Sequence, residues 1–137
     1  METATERLFR DTAGPIEELT WGRFVICGEE HAQTSELRIG KGKDIRILGT
    51  KVTRWKERDG HVLKKSMITG VYDEKLDVLV LGVGIEGAIE VPDKVRRDVA
   101  EHGIAELVIE RTPDACRVYN ERQRAGQRVA LLAHGTC

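Results

Sequence analysis

No apolar run in this sequence approaches the roughly 20 residues that a membrane-spanning helix needs, so no spanning helix is expected. Charge of one sign is missing too. Twenty-two basic residues stand against 23 acidic ones, which leaves no global field to draw in nucleic acid or an anionic membrane. The stretch Met1 to Gly14 is polar, with no apolar core of the kind a secretory signal carries. Residues 1–15 therefore read as a flexible N-terminal arm and 16–137 as one domain, long enough to bury a core. Cysteine is scarce: Cys27, Cys116 and Cys137 are odd in number and form no CxxC. That usage fits a reducing cytoplasm better than a disulfide framework.

Catalytic motifs are absent as well. Ser35 and Ser66 lie outside any GxSxG, and there is no HExxH or P-loop. His134 and Cys137 have half the spacing of a zinc site, but a second half is missing. The sequence predicts no catalytic residue, no metal and no cofactor, and leans away from an enzyme.

What is present divides into two styles. From Trp21 to His61 short strands alternate with turns. Phe24–Cys27, Leu37–Ile39, Ile45–Ile47 and Val52–Lys56 read as strands of an antiparallel region with one wet face. Asp59-Gly60 has the chemistry of a hairpin turn. Beyond Val62 the period changes. Leu63, Met67, Ile68 and Val71 fall at helical spacing, and Asp77–Val83 is a continuous apolar strand. A helix opens at Pro92 and stops at Gly103; strand Ala105–Glu110 follows. Thr112-Pro113-Asp114 opens a second helix, with the Thr112 hydroxyl expected as its N-cap. That helix ends at Gly126 before the last strand, Arg128–Ala133. This βαβαβ succession predicts neighbouring parallel strands.

After the apolar strand comes Gly82-Val83-Gly84-Ile85-Glu86-Gly87, a GxGxxG pattern. A dinucleotide fingerprint needs a helix to begin at once, so that its amides face the pyrophosphate. Here Ala88–Val91 intervenes and the helix waits for Pro92, although Glu110 sits at about the spacing of a ribose contact. Two readings stay open: a dinucleotide- or anion-binding, redox-linked loop, or a backbone bend at the strand's carboxyl end. On either reading Gly82, Val83, Gly84 and Glu86 border whatever cleft exists, because ligands gather at the carboxyl ends of such strands.

Other residues join them as candidate cleft or ligand-binding groups. Arg54 and Trp55 point to opposite faces of a strand, so that one packs while the other meets a cleft, where Arg54 holds an anion. His61 either closes a hairpin or serves as a cleft acid or base. Asn120 is unfavourable inside a helix and is read as bonding a neighbouring loop backbone. Tyr119 and Cys116 read as packing residues, and Cys137, at the end of the sequence, as an exposed, reactive thiol.

The order Trp21-Gly22-Arg23-Phe24, Arg54-Trp55, Gly60-His61, Leu79 to Gly84 and Pro92, ending with Ala115, Tyr119-Asn120 and Arg128-Val129-Ala130, resembles the Mth938-like domain family, DUF498. The resemblance runs from about Ile16 to Cys137. It implies a three-layer α/β domain around a central mixed sheet, with additional antiparallel strands from the N-terminal half. Animal relatives in that family include a mitochondrial complex I assembly factor and an adipogenesis-associated protein. The resemblance carries a fold and a pocket at the end of strand 77–83, but no reaction. The expectation is a non-enzymatic binding or assembly-type module, with a protein or a small anion as its partner.

Overall fold

The computed structural model describes residues 6–34 and 36–137. Four strands, β1 (Phe9–Arg10), β2 (Ile16–Thr20), β3 (Arg23–Ile26) and β4 (Glu29–Ala32), form an antiparallel sheet in chain order. A second, mixed sheet contains β5 (Asp44–Leu48), β6 (Lys51–Arg54), β7 (Val78–Gly82), β8 (Glu106–Glu110) and β9 (Val129–His134), in the order β6-β5-β9-β7-β8. Strand β7 runs parallel to both β8 and β9, whereas β5 and β6 join antiparallel. Helices α1 (Asp93–Glu101) and α2 (Thr112–Arg124) connect β7 to β8 and β8 to β9.

The apolar runs of β7 and β9 reflect cover on both faces. Leu79, Leu81, Ala130 and Leu132 point into a core closed by Val95 and Val99 of α1 and by the 55–76 segment. Val78, Val80, Val129, Leu131 and Ala133 point the other way. There they meet Ala115, Cys116 and Tyr119 of α2, with Ile16, Leu19, Phe24 and Ile26 of the first sheet. The result is three layers, with the antiparallel sheet packed beside α2, as the sequence pattern and the resemblance led one to expect.

Several local expectations fail, each for a tertiary reason. No helix forms over 63–71. Val62 bridges Glu90, the Leu63 N–H donates to Glu90 O (2.9 Å), and only short 3-10 turns form at Lys65–Met67 and Tyr72–Glu74. The buried Trp55 indole donates to Met67 O (2.7 Å), taking a carbonyl that a helix would have used. Leu37–Ile39 is not a strand: the loop closes on itself through Thr34 N–H to Ile39 O (2.8 Å), Arg38 has φ 52°, and Leu37 is exposed. Gly60 adopts the expected positive φ, but no hairpin follows. The chain leaves toward Glu90, whose N–H donates to His61 O (2.8 Å). Thr112 is the first helical residue of α2 rather than its cap, a place taken by Arg111. Residues ahead of position 16 also make contacts with the domain. Strand β1 pairs with β2, and Asp11 accepts from Arg124 (2.7 Å) and Asn120 (3.2 Å); residues 1–5 lie outside the described residues.

Candidate functional site

At the carboxyl end of β7 the glycine loop meets the segment that follows β9. The Val83 N–H donates to Glu110 O (2.9 Å), Gly84 to Thr112 Oγ1 (3.0 Å) and Ile85 to Thr136 O (2.6 Å). Glu86 and Ala88 both donate to the main-chain oxygen of Cys137, at 3.0 and 3.2 Å. Gly87 donates to Gly84 O (3.2 Å) and Ile89 to Val83 O (3.0 Å). Every amide from 83 through 89 therefore has a partner within the chain. The cradle that a phosphate would use is occupied by residues 136 and 137 of the same molecule.

Thr112 holds this junction. Its buried hydroxyl accepts from the Gly84 amide and donates to His134 O (2.6 Å), which locks α2, the loop and β9 together. On the other side, Gly135 packs where no side chain fits, since a Cβ there would stand 1.9 Å from Gly42 O. The Gly135 N–H donates to Lys43 O, and its own carbonyl accepts from the Gly22 N–H, both at 2.7 Å.

Beyond segment 135–137 opens a cleft of about 730 Å³, lined among others by Trp21, Arg38, Lys43, Arg58, His61 and Cys137. Its volume lies in the range of small-molecule sites. The antiparallel register of β5 with β9 sets Asp44 opposite His134 at its wall. His134 Nδ1 is 2.9 Å from Asp44 Oδ1 and 3.1 Å from Lys43 O. Arg58 Nε donates to the same Asp44 oxygen, and its Nη1 donates to Gly60 O (2.6 Å). On the far side of the ring, His134 Nε2 faces Thr136 Oγ1 at 3.0 Å and Cys137 Sγ at 3.5 Å. A second imidazole, His61 Nε2, is 3.9 Å from the same sulfur. Asp44 and His134 are buried, Cys137 is partly exposed and His61 is exposed. A smaller hollow of about 300 Å³ at the opposite end of the sheet, around Gln123 and Arg128, has no histidine or cysteine in its wall.

Of the residues singled out from the sequence, His61 lines the cleft, Gly84 and Glu86 border the segment that walls it off, and Gly82 packs inside β7 against Ala133, Thr112 and Ala115. Val83 and Trp55 are buried in the core facing α1, and Arg54 is exposed on β6 outside the cleft lining. Asn120 is remote and structural. Its side chain accepts from Ile16 N–H (2.9 Å) and donates to Ile16 O (2.7 Å), completing the edge of β2. Sequence reasoning missed Asp44, Lys43 and Arg58; it read Cys137 as a reactive thiol, but joined His134 to it only as an incomplete metal site. Among the described residues no group of three or more His, Cys, Asp or Glu is arranged to hold a metal ion, and no helix is long and apolar enough to cross a membrane.

A family model described as a protein of unknown function, DUF498/DUF598, matches residues 16–134. Solved structures share the fold. The conserved hypothetical protein PH1505 from Pyrococcus horikoshii OT3 is 22% identical, with 89% of this chain and 98% of that one covered and a TM-score of 0.66. MT938 is 22% identical, with 96% and 100% covered and a TM-score of 0.66. A protein described as an outer membrane protein from Bartonella henselae is 20% identical, with 96% and 100% covered and a TM-score of 0.70. At these identities the likeness carries the fold alone.

Proposed function

Since the chain belongs to the DUF498/DUF598 family and has the Mth938-like fold, we propose that it is a cytoplasmic binding module whose cleft takes a small anionic ligand. The observation that carries this reading is the gathering of Lys43, Arg38 and Arg58 with His61 around one concavity. Arg58 is committed to Asp44, but Lys43 and Arg38 have no ion-pair partner among the described residues. A carboxylate or phosphate entering there meets the half-buried Lys43 and the exposed Arg38, whose attraction outweighs the single exposed carboxylate of Asp59 in the same lining. The three free cysteines accord with a reducing compartment. The dinucleotide alternative loses its support, because the amides of Val83–Gly87 are spent on the chain itself and α1 begins only at Asp93. The anion belongs instead on the other side of segment 135–137.

Thermal unfolding in the presence of inorganic phosphate, nucleotides, di- and tricarboxylates and a short acidic peptide tests this. A ligand at about 100 times its Kd adds about 2.7 kcal/mol to stability. The expected result is a rise in Tm with at least one anion in the wild type and none in the folded double variant Lys43→Glu, Arg38→Glu. Which class produces the rise separates a free metabolite from an acidic protein segment. No rise across the panel overturns the reading.

A further inference from the structure

Three cysteines in one chain sit in three different environments. Cys116 is fully buried against the mixed sheet, and burial pushes its thiol far up. Cys27 is exposed at the turn after β3. Only Cys137 has its sulfur 3.5 Å from a buried imidazole nitrogen, in the wall of a cleft. The other ring nitrogen of that imidazole points at a carboxylate. An Nδ1–H donating to Asp44 makes Nε2 an acceptor, shared by the Thr136 hydroxyl at 3.0 Å and the Cys137 thiol at 3.5 Å, the tautomer a general base needs. Asp44 is in turn held by Arg58, so the ring is fixed by groups from β5 and from the loop after β6.

We propose that Cys137 is a nucleophilic thiol, with His134 as its base and Asp44 as the residue that positions the base, and that it exchanges with an anionic disulfide held in the cleft. Only the choice of an anionic disulfide rests on the anion-binding reading above; the reactivity of the thiol does not. His134 Nε2 takes the Sγ proton, and the thiolate attacks one sulfur of the disulfide. A new S–S bond forms to Cys137, and the old one breaks with its electron pair leaving on the second sulfur. That thiolate takes the proton from the His134 imidazolium and departs as a thiol. Cys137 is oxidised to a mixed disulfide, and half of the incoming disulfide is reduced. A second thiol reverses the step.

Acyl transfer fits less well, since it needs amide donors for an oxyanion, and those from 83 to 89 are already bonded. Disulfide exchange needs none. His61 faces the same sulfur, and Lys43 and Arg38 line the mouth, where they attract carboxylates carried by the disulfide.

The test uses two full-length proteins, Cys27→Ser and Cys137→Ser, with two probes: 5,5′-dithiobis(2-nitrobenzoate), which is anionic, and 2,2′-dithiodipyridine, which is neutral. With the neutral probe at neutral pH, Cys137 is expected to react about ten times faster than Cys27. The anionic probe is expected to widen that margin, and adding Lys43→Glu to remove the extra margin alone. His134→Gln is expected to bring Cys137 down to the rate of Cys27. The buried Cys116 reports on folding, because it stays silent unless the protein opens. Equal neutral-probe rates for Cys137 and Cys27 overturn the proposal, even if anions still raise Tm. A fast Cys137 with no preference for the anionic probe sustains the thiol and overturns the anion assignment. A His134→Gln protein that keeps the fast rate with Cys116 silent overturns the role of the base.

Discussion

Gly84 is the residue that lets Cys137 lie against the end of β7: a Cβ at position 84 would stand 2.5 Å from both the main-chain carbon and oxygen of Cys137. Its φ of 104° adds a conformation that residues with a Cβ rarely adopt. The glycine of an apparent nucleotide motif thus serves contact within the chain.

The first prediction follows directly. Gly84→Ala combines backbone strain with a clash against main chain rather than against a flexible side chain, and is expected to cost about 2–4 kcal/mol. Urea unfolding gives the loss. Hydrogen exchange at Glu86 and Ala88, whose amides bond Cys137, is expected to speed up. A variant as stable as the wild type, with unchanged exchange, would show that segment 135–137 does not seal the loop.

Asn120 supplies a second test. It meets both the N–H and the C=O of Ile16 from inside α2, where it is fully buried. Asn120→Ala leaves two buried backbone groups unpaired, at about 1–3 kcal/mol each, so a loss of about 2–6 kcal/mol is expected. Because the site lies away from the cleft, the reactivity of Cys137 in the folded variant should not change.

His31 sets a pH dependence. It lies on β4, 6% exposed, and desolvation together with the nearby charge of Lys41 lowers its pKa below the ordinary 6.5, with Glu29 opposing. In the window below 6.5 the unfolded chain binds more protons at this position than the folded one does. The contribution is therefore fully present above the unfolded pKa and is lost as pH falls toward the folded one. Comparing Tm at about pH 7.5 and about pH 5, the wild type is expected to fall further than His31→Gln. An equal fall in both proteins would remove His31 from the account.

Much of the scaffold is legible because its causes are local. The continuous apolar runs at 78–81 and 129–133, Pro113 at the start of α2 and Gly103 beyond α1 each encode their element within a few residues. Segment 63–71 misleads for the opposite reason. Its helical spacing is real, but the Trp55 indole takes the Met67 carbonyl the helix would have used, and Glu90 draws Val62 and Leu63 into a bridge at its other end. Thr112 shows the same competition: its hydroxyl serves Gly84 and His134 instead of capping α2.

The candidate site belongs almost wholly to the second kind. Asp44 and His134 are 90 positions apart, and nothing in either neighbourhood announces the other. They meet because β5 enters the mixed sheet antiparallel beside β9, in a register that places them opposite one another. The sequence alone determined an antiparallel region, a βαβαβ succession and a glycine bend at the end of β7, since period and turn chemistry act over single elements; the three layers were implied only by the resemblance. Tertiary structure alone decided that the bend is filled by Thr136 and Cys137. It also decided that a thiol and an imidazole share the neighbouring cleft, with the Asp44 carboxylate buried behind the ring. Strand order and register, set by packing across the whole sheet, choose which distant side chains touch.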